Sequence, residues 1–312
     1  MSPVTLISSK PVPQPEGGPP ALFDRRLLVR RRDRAAHAFQ DYDFLHARAA
    51  DDLLDRVESV TRDFDTCLVL GGGGAIGRAL ADRPGARSKI NHLIETDLSP
   101  RMARLSDQTA VCLDEEALPL APQSVDLVIS CLNLHWTNDI VGALIQINHA
   151  LKPDGFFAGA LLGGATLTEL RQSFQKVTDE DPAPRRVSPF ADTVDMAGLL
   201  SRAGFTLPVS DVDRVKARYG NSFVLMRDLR AMGETNALYD RPRTPGTKSL
   251  FVKTAQAYAE AFAEEDGKVP ATFEIIHFAG WAPHPDQPKP KRPGSAQVSL
   301  ADALGVAEAF DF

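Results

Sequence analysis

The stretch CLVLGGGGAIGRAL, residues 67–80, decides how this chain folds. Four apolar residues followed by glycines predict a buried strand that turns directly into a helix beginning at Ala75. The glycines leave the turn without side chains, so backbone N–H groups and the positive helix end can approach a charged, nucleotide-like ligand. The stretch therefore predicts a cofactor-binding turn at the end of a strand.

The glycine spacing alone leaves two cofactor classes open. Residues 72–77 fit the dinucleotide pattern G-x-G-x-x-G, which favours NAD. The same turn resembles the first motif of class I S-adenosylmethionine methyltransferases, with Gly71, Gly73 and Ala75 where three glycines are usual. The choice between the two therefore depends on the sequence further along the chain.

Acidic residues follow the next two strand-like segments. Residues 90–96 end at Asp97, where a carboxylate can bind a ribose diol in either cofactor class, or can instead cap the following helix. Residues 109–113 are followed by Asp114 and Glu115, and acids at strand ends lie on the ligand edge of a parallel sheet. We predict the cofactor-binding residues to be Gly71, Gly72, Gly73, Ala75, Asp97, Leu98, Asp114, Glu115 and Cys131.

The order of the following segments predicts an α/β fold. Residues 125–130 read as a fourth strand, and an amphipathic helix then runs to Leu151. The turn Lys-Pro-Asp-Gly, residues 152–155, precedes a fifth strand over residues 156–162. Because this turn between helix and fifth strand resembles the class I methyltransferase pattern, the sequence favours S-adenosylmethionine over NAD.

Motifs beyond the shared fold carry a closer resemblance. They are FDR at 23–25, RDRAA at 32–36, DEE at 114–116, LHW at 134–136, LKPDG at 151–155, MGE at 232–234 and VPAT at 269–272. With these motifs the chain resembles the complex I assembly factor 5 family from about Phe23 to about Leu304. The resemblance implies a Rossmann-like class I methyltransferase fold: a mostly parallel seven-stranded sheet with an antiparallel final strand, helical lid insertions and bound S-adenosyl-L-methionine.

The resemblance also implies an activity and a partner. Members of the family are linked to hydroxylation of an arginine on an iron–sulfur subunit of NADH:ubiquinone oxidoreductase, whereas bacterial relatives are generally described as S-adenosylmethionine-dependent methyltransferases. Both reactions remain open at this point. A non-catalytic assembly chaperone that retains the cofactor pocket is a further alternative, and an NAD-dependent oxidoreductase is a weaker one.

His135 and Trp136 are the predicted catalytic residues, because they follow the fourth strand where class I methyltransferases place substrate-facing groups. The histidine can act as a base or orient the substrate, and the tryptophan can pack against a guanidinium or sulfonium group. Alternatively, both are structural, with the tryptophan covering the core and the histidine capping the following helix. Val69 stands where the methyltransferase pattern usually has an acid, which predicts weaker cofactor binding.

Composition excludes some classes of protein. A net charge of −6 gives no general attraction to nucleic acid. The cysteines, Cys67, Cys112 and Cys131, lack C-x-x-C spacing and are expected to be buried small hydrophobes. No histidine pattern indicates a metal site, so we assign no metal. The chain lacks a spanning segment or transit peptide, which predicts a cytoplasmic bacterial protein that can associate peripherally with the inner membrane.

We expect the following organisation along the chain. Residues 1–22 form a disordered N-terminus, and residues 23–64 a helical segment. Residues 65–282 form the methyltransferase-fold domain, with lid insertions at about 181–265, and residues 283–312 a proline-rich arm with a short C-terminal helix. The arginine-rich stretch at residues 25–34 allows three interpretations: nucleic-acid or lipid contact, a solvated helix with ion pairs, or contact with a partner or closure over the cofactor.

Overall fold

The structure is a computed structural model that describes residues 21–178, 186–188 and 196–288. The strands are β1 (Phe64–Gly71), β2 (Ile90–Asp97), β3 (Thr109–Cys112), β4 (Val125–Cys131), β5 (Leu151–Leu162), β6 (Thr206–Tyr219) and β7 (Val269–Trp281). The helices are α1 (Arg25–Ala35), α2 (Phe44–Ser59), α3 (Ala75–Ala81), α4 (Pro84–Lys89), α5 (Pro100–Ala103), α6 (Ile140–Ala150), α7 (Thr168–Val177), α8 (Met196–Arg202), α9 (Ser222–Ala231) and α10 (Lys248–Phe262).

The strands form one seven-stranded sheet in the order β3-β2-β1-β4-β5-β7-β6. The pairs from β3 to β5 are parallel, and β7 runs antiparallel to both β5 and β6. Among the strands of the described residues, only β7 is therefore reversed. The predicted fold class, a mostly parallel sheet with an antiparallel final strand, is confirmed.

The turn between β1 and α3 depends on glycine. Gly71, Gly72, Gly73 and Gly74 all have positive φ, between 54° and 86°, a region that side chains with a Cβ rarely adopt. A Cβ built on Gly71 would lie 2.6 Å from Cβ of Asn133. The four consecutive glycines thus let the chain leave β1 and enter α3 within a tightly packed turn.

Hydrophobic cores lie on both faces of the sheet, as expected for strands that read as continuous apolar runs. One core packs α2, α3 and α10 against β1, β4, β5 and β7, and includes Leu53, Val69 and Phe273. The other packs α6 and α8 against the opposite face, around Leu144 and Phe157. With both faces covered, the ligand edge at the carboxyl ends of the parallel strands remains as the place for a site.

The structure corrects the prediction at two places. The Lys-Pro-Asp-Gly segment is not a separate turn before β5, because β5 already begins at Leu151, which pairs with Val125 before a register shift. Asp154 has a φ of 61°, so the strand bends there without ending. In addition, α7 precedes the predicted lid insertion and was not expected.

Some predictions fall outside the described residues. These are most of the N-terminus that was expected to be disordered, most of the first fifteen residues of the lid insertions, and most of the proline-rich arm with its C-terminal helix. Within the described residues, none of the helices is both long enough and apolar enough to span a membrane.

Candidate cofactor and acceptor site

The predicted cofactor turn lies at the carboxyl ends of β1 and β4, where its neighbours come from other segments. A Cβ on Gly73 would lie 2.6 Å from Cε1 of Phe39, and one on Gly72 would lie 3.0 Å from Cβ of Cys131. Burial raises the pKa of Cys131 to about 12, so its thiol is neutral and forms an apolar wall. The Cys131 thiol also lies 3.7 Å from the carbonyl oxygen of His46, to which it donates a hydrogen bond.

Asp97, the predicted ribose ligand, is held by an arginine from α1. Nε and Nη2 of Arg32 donate to the two carboxylate oxygens at 3.1 and 2.7 Å, and the backbone N–H of Ser99 donates to Oδ1 at 2.8 Å. Arg32 is 0% exposed and Asp97 is 3% exposed. The carboxylate is therefore at the expected place, engaged in a buried bidentate ion pair.

The acids after β3 are held in the same way by a second arginine. Nη2 of Arg25 lies 2.7 Å from Oδ1 of Asp114 and 2.7 Å from Oε1 of Glu115. Nη1 of Arg25 also donates to the carbonyl oxygen of Trp136 at 3.1 Å. Burial raises the pKa of Glu115 and Asp114 adds to that shift, whereas the positive charge of Arg25 opposes it.

Helix α1 therefore covers the cofactor edge of the sheet. Arg25 and Arg32 are seven residues apart, which places them on one face of the helix, two turns from each other. Of the three interpretations of the basic stretch, these contacts favour closure over the cofactor site. Leu98 packs beneath this helix with Phe23, Leu28 and Trp136.

The residues present fit S-adenosylmethionine, with one condition. The glycine turn, Asp97 and the acids after β3 offer the backbone N–H groups and carboxylates that an adenosine moiety requires. Nη1 of Arg32 is buried without a hydrogen-bond partner among the described residues, so it can still take an acceptor from a ligand. Because Asp97 is 3% exposed and Arg32 donates to both of its oxygens, a ribose can reach this carboxylate only if the side chains that cover it move.

His135 and Trp136 lie in a short helical turn after β4, and both contact Glu234. Nε2 of His135 lies 3.1 Å from Oε2 of Glu234, and Nε1 of Trp136 donates to Oε1 at 3.5 Å. The backbone N–H of Leu162 donates to Nδ1 of His135 at 3.4 Å, which leaves the proton on Nε2 for Glu234. Both ring nitrogens are thus engaged, and His135 orients a carboxylate in this structure.

Glu234 is buried and its charge is stabilised by its neighbours. Burial opposes ionisation, but the attraction of His135, its hydrogen bond and the positive charge of Arg32 together lower the pKa of Glu234 below its usual value. Burial lowers the pKa of His46 to about 3, so that imidazole is neutral. The site therefore holds an ionised carboxylate against α1 and the end of β4.

Glu234 also lines a cavity of about 280 Å³. Its apolar walls come from α7, α9 and α10, and include Leu170, Phe174 and Phe251. Arg31, Arg186 and Arg241 are the basic residues of the lining. Since Arg31 adjoins Arg32 in the same helix, the cavity lies beside the cofactor edge, where an acceptor substrate would have to be.

The predicted catalytic role of His135 and Trp136 stays a prediction. Trp136 is 1% exposed and packs edge-on against Phe23, with ring centroids 5.3 Å apart, which is the packing of a residue that covers a core. The helix cap proposed for the histidine is instead supplied by Asp139, whose side chain accepts from the N–H of Gly142. The carboxylate that reaches the cavity belongs to Glu234.

One cluster outside this site has metal-ligand chemistry. Asp52, Asp213 and His277 each offer one atom, and these atoms lie within 4.8 Å of one another. However, Arg48 donates to both oxygens of Asp213, at 2.6 and 3.2 Å, which is the arrangement of a helix-to-sheet ion pair. We therefore assign no metal to these side chains.

Sequence reasoning missed the groups that close the site. Arg25 and Arg32 lie in the basic stretch for which closure over the cofactor is one of three interpretations, but their acidic partners are not predicted. Glu234 lies in the MGE motif of the family resemblance, without a predicted role. The spacing of Arg25 and Arg32 on one helix face was a usable signal for a pair of contacts to one edge of the sheet. No local pattern indicates that Glu234 meets His135 across 99 residues of sequence.

Comparisons with known proteins find relatives over most of the chain. The profile of the family described as methyltransferase domain matches residues 68–159. The arginine-hydroxylase NDUFAF5, mitochondrial, of Danio rerio is 39% identical over 92% of this chain and 91% of its own length. The malonyl-[acyl-carrier protein] O-methyltransferase of Methylovorus sp. is 33% identical over 92% of this chain and 95% of its own length.

Solved structures share the fold at low sequence identity. The YcgJ protein of Bacillus subtilis has a TM-score of 0.51 and 14% identity, covering 76% of this chain and 99% of that protein. A phosphoethanolamine N-methyltransferase 2 of Haemonchus contortus, in complex with S-adenosyl-L-methionine, has a TM-score of 0.50 and 16% identity, covering 87% of this chain and 62% of that protein. From its relatives and its fold, the chain belongs to the complex I assembly factor 5 family of NDUFAF5 arginine-hydroxylases, within the class I methyltransferase superfamily.

Proposed function

We propose that this protein is an S-adenosylmethionine-binding enzyme that modifies an arginine side chain of a protein subunit during assembly of respiratory complex I. The observation that carries the proposal is the buried carboxylate of Glu234, which His135 and Trp136 orient at the wall of the cavity. A carboxylate in a fixed orientation is well suited to a planar guanidinium group, which donates parallel hydrogen bonds to it. Glu234 is then the residue that binds and orients the acceptor.

Hydroxylation is the reaction that the names of the relatives at 36–39% identity support. It adds one oxygen atom to the arginine, and therefore needs an oxidant and a source of electrons in addition to the residues described above. In this reaction Glu234 would hold the guanidinium, and the apolar walls of the cavity would exclude water from the side chain.

Methyl transfer is the second candidate, because a methyltransferase domain profile matches residues 68–159. S-adenosylmethionine supplies an electrophilic methyl group in that reaction. A guanidinium nitrogen forms the new bond to carbon as the bond from sulfur to carbon breaks, and one proton leaves the nitrogen. The contribution of this chain is then mainly to hold the acceptor in line with the donor.

The proposed partner is the iron–sulfur subunit of NADH:ubiquinone oxidoreductase, and the proposed location is the cytoplasm, with peripheral association at the inner membrane. A non-catalytic chaperone of the same subunit would use the cavity only for binding. A catalytic protein leaves a covalent mark on the subunit, whereas a chaperone leaves its mass unchanged.

The test compares the mass of the iron–sulfur subunit from cells with and without this gene. We expect the subunit from gene-containing cells to be heavier, and peptide sequencing to place the difference on one arginine. An added oxygen supports hydroxylation, and an added methylene supports methyl transfer. Equal masses in the two strains would contradict the proposal.

The cofactor has its own test, because the glycine spacing also fits NAD. We expect S-adenosylmethionine to raise the Tm of the purified protein, since a ligand that binds only the native state stabilises it. NADH serves as the control and should leave the Tm unchanged. Stabilisation by NADH and not by S-adenosylmethionine would overturn the cofactor assignment.

A further inference from the structure

Among the described residues, the lining of the cavity that Glu234 borders is predominantly basic. Arg31, Arg186 and Arg241 contribute three guanidinium groups to this part of the lining, and Glu234 contributes its one carboxylate. Arg241 is partly neutralised, because its Nη2 lies 3.2 Å from Oδ2 of Asp24. Within the described part of the chain, Arg31 and Arg186 therefore carry an excess of positive charge at the cavity.

Arg186 has an N–H donor that no described residue uses. Its Nε is buried and has no hydrogen-bond partner among the described residues. No ion pair of Arg186 is seen among the described residues, and a guanidinium has five N–H donors in a planar fork, so Arg186 can bind a carboxylate from a ligand. The side chain is half-buried, so it is also partly shielded from water.

Ser188 adds a second unsatisfied group to the same wall. The residue is 5% exposed, and its hydroxyl has no hydrogen-bond partner among the described residues. A buried hydroxyl without a partner is unusual in a native protein, and one that lines a cavity is commonly completed by a ligand or by water. The hydroxyl can donate to an anionic oxygen beside Arg186.

The lowered pKa of Arg31 reflects the same excess of positive charge. Burial lowers the pKa of its guanidinium, and the repulsion from Arg241, Arg34 and Arg230 lowers it further, against the attraction of Asp24. An anion entering the cavity would relieve this repulsion. Nη1 of Arg31 also donates to the backbone oxygen of Asn236, which holds the side chain at the wall.

We propose that Arg186, with Ser188 and Arg31, binds the carboxylate of an aspartate or glutamate that flanks the target arginine in the substrate. The substrate class is then an acidic peptide segment that contains an arginine. The guanidinium of this segment binds Glu234 and its flanking carboxylate binds Arg186, so the cavity recognises two groups of opposite charge. This inference rests on the proposed function, because it takes the arginine as the modified residue.

The test measures binding of short fluorescent peptides to the full-length protein in the presence of S-adenosylmethionine. One peptide set carries a single arginine with an aspartate within three residues on either side, and the matched set carries asparagine instead. We expect the aspartate peptide at the favoured position to bind about tenfold more tightly, as a hydrogen-bonded ion pair would produce. Equal binding at every position would overturn the proposal.

Arg186→Gln tests the assignment of the residue. The substitution removes no internal hydrogen bond that the structure shows, so the variant should keep the Tm of the wild type. We expect it to bind the aspartate peptide about tenfold more weakly and the asparagine peptide as the wild type does. If both peptides lose affinity equally, Arg186 does not bind the carboxylate of the peptide.

Arg26→Gln is the matched control, because Arg26 carries the same charge on the exposed side of α1. It should change the affinity for both peptides to the same small extent, and added salt should abolish that change. A loss of discrimination in Arg26→Gln equal to that in Arg186→Gln would show that general charge, not the cavity, selects the peptide.

One further peptide separates this inference from the proposed function. Replacing the arginine by glutamine should weaken binding if the arginine is the target. If the glutamine peptides lose no affinity and still bind more tightly with aspartate than with asparagine, the carboxylate site is supported. That result would contradict arginine as the target. Displacement of the peptide by malonyl pantetheine, followed by methylation of that compound, would overturn the choice of a peptide.

Discussion

At the scale of single residues, the ion pair between Arg32 and Asp97 gives the strongest prediction about stability. Both side chains are buried, and Asp97 has no other cation within the described contacts. In Arg32→Gln the carboxylate stays buried without its partner, which typically costs about 3 to 5 kcal/mol of folding free energy. We expect this loss in urea unfolding followed by circular dichroism.

Arg30→Gln is the control for this substitution. Arg30 lies in the same helix and is exposed, so its replacement should change the free energy of unfolding by no more than about 0.5 kcal/mol. Equal effects of the two substitutions would mean that the buried ion pair does not form in solution.

His46 gives a prediction for the dependence of stability on pH. Burial lowers its pKa from 6.5 to about 3, so the folded protein keeps the imidazole neutral while the unfolded chain binds a proton below pH 6.5. The stability contribution is therefore present above pH 6.5 and is lost as the pH falls. Between pH 6.5 and pH 5 we expect a loss of about 1 to 2 kcal/mol from this residue.

The measurement compares urea unfolding of the wild type and His46→Gln at these two pH values. The variant should lose less stability on acidification, by about that amount. His277 contributes a change of the same sign to both proteins, because burial also lowers its pKa. His92→Gln, an exposed replacement, should keep the dependence of the wild type, and a slope in His46→Gln equal to that of the wild type would contradict a buried neutral His46.

At the scale of elements, helix α1 and a cofactor would use the same carboxylate. A ribose at Asp97 in the wild type would have to share the carboxylate with Arg32 or displace it, whereas Arg32→Gln has no ion pair at that carboxylate. We expect S-adenosylmethionine to raise the Tm of Arg32→Gln more than that of Arg30→Gln, measured at the same ligand concentration. A smaller rise would mean that Arg32 itself binds the cofactor through its unpaired Nη1.

The packing of β5 against β7 gives a second prediction at this scale. A Cβ on Gly159 would lie 2.3 Å from the ring of Phe278, which leaves no room for a methyl group. Gly159→Ala should therefore cost about 1 to 3 kcal/mol in urea unfolding, because overpacking displaces the ring or the strand. Gly220→Ala is the control, since its Cβ would meet no atom within 4 Å. Equal losses would contradict the close pairing of β5 and β7.

The elements were largely predictable from the sequence, and their contacts were not. The apolar runs at β1, β2 and β4 and the glycines after β1 define strands and a turn by local pattern alone. The segment 151–155 was misread, because proline and glycine usually mark a turn, and here the pairing of Leu151 with Val125 extends the strand past them. Helix α7 has no glycine or proline within three residues of either end, so no local signal marked its boundaries.

At the scale of the whole molecule, the sheet brings distant residues to one edge. Residues in α1, at the ends of β2 and β4, and after α9 meet around Arg32 and Glu234. The sequence predicted Asp97, His135 and Trp136 because each directly follows a strand or its turn. It could not predict that Arg25 and Arg32 cover the acids or that Glu234 reaches His135, since these contacts depend on the packing of a separate helix and loop.

Modification of the iron–sulfur subunit in cells that carry Glu234→Gln tests the central claim most directly. The control cells carry Glu265→Gln, an exposed carboxylate outside the site. We expect the subunit mass to show the modified arginine in the wild type and in Glu265→Gln, and to show none in Glu234→Gln at an equal level of folded protein. Full modification in Glu234→Gln would contradict the account, because the buried carboxylate would then have no part in holding the arginine.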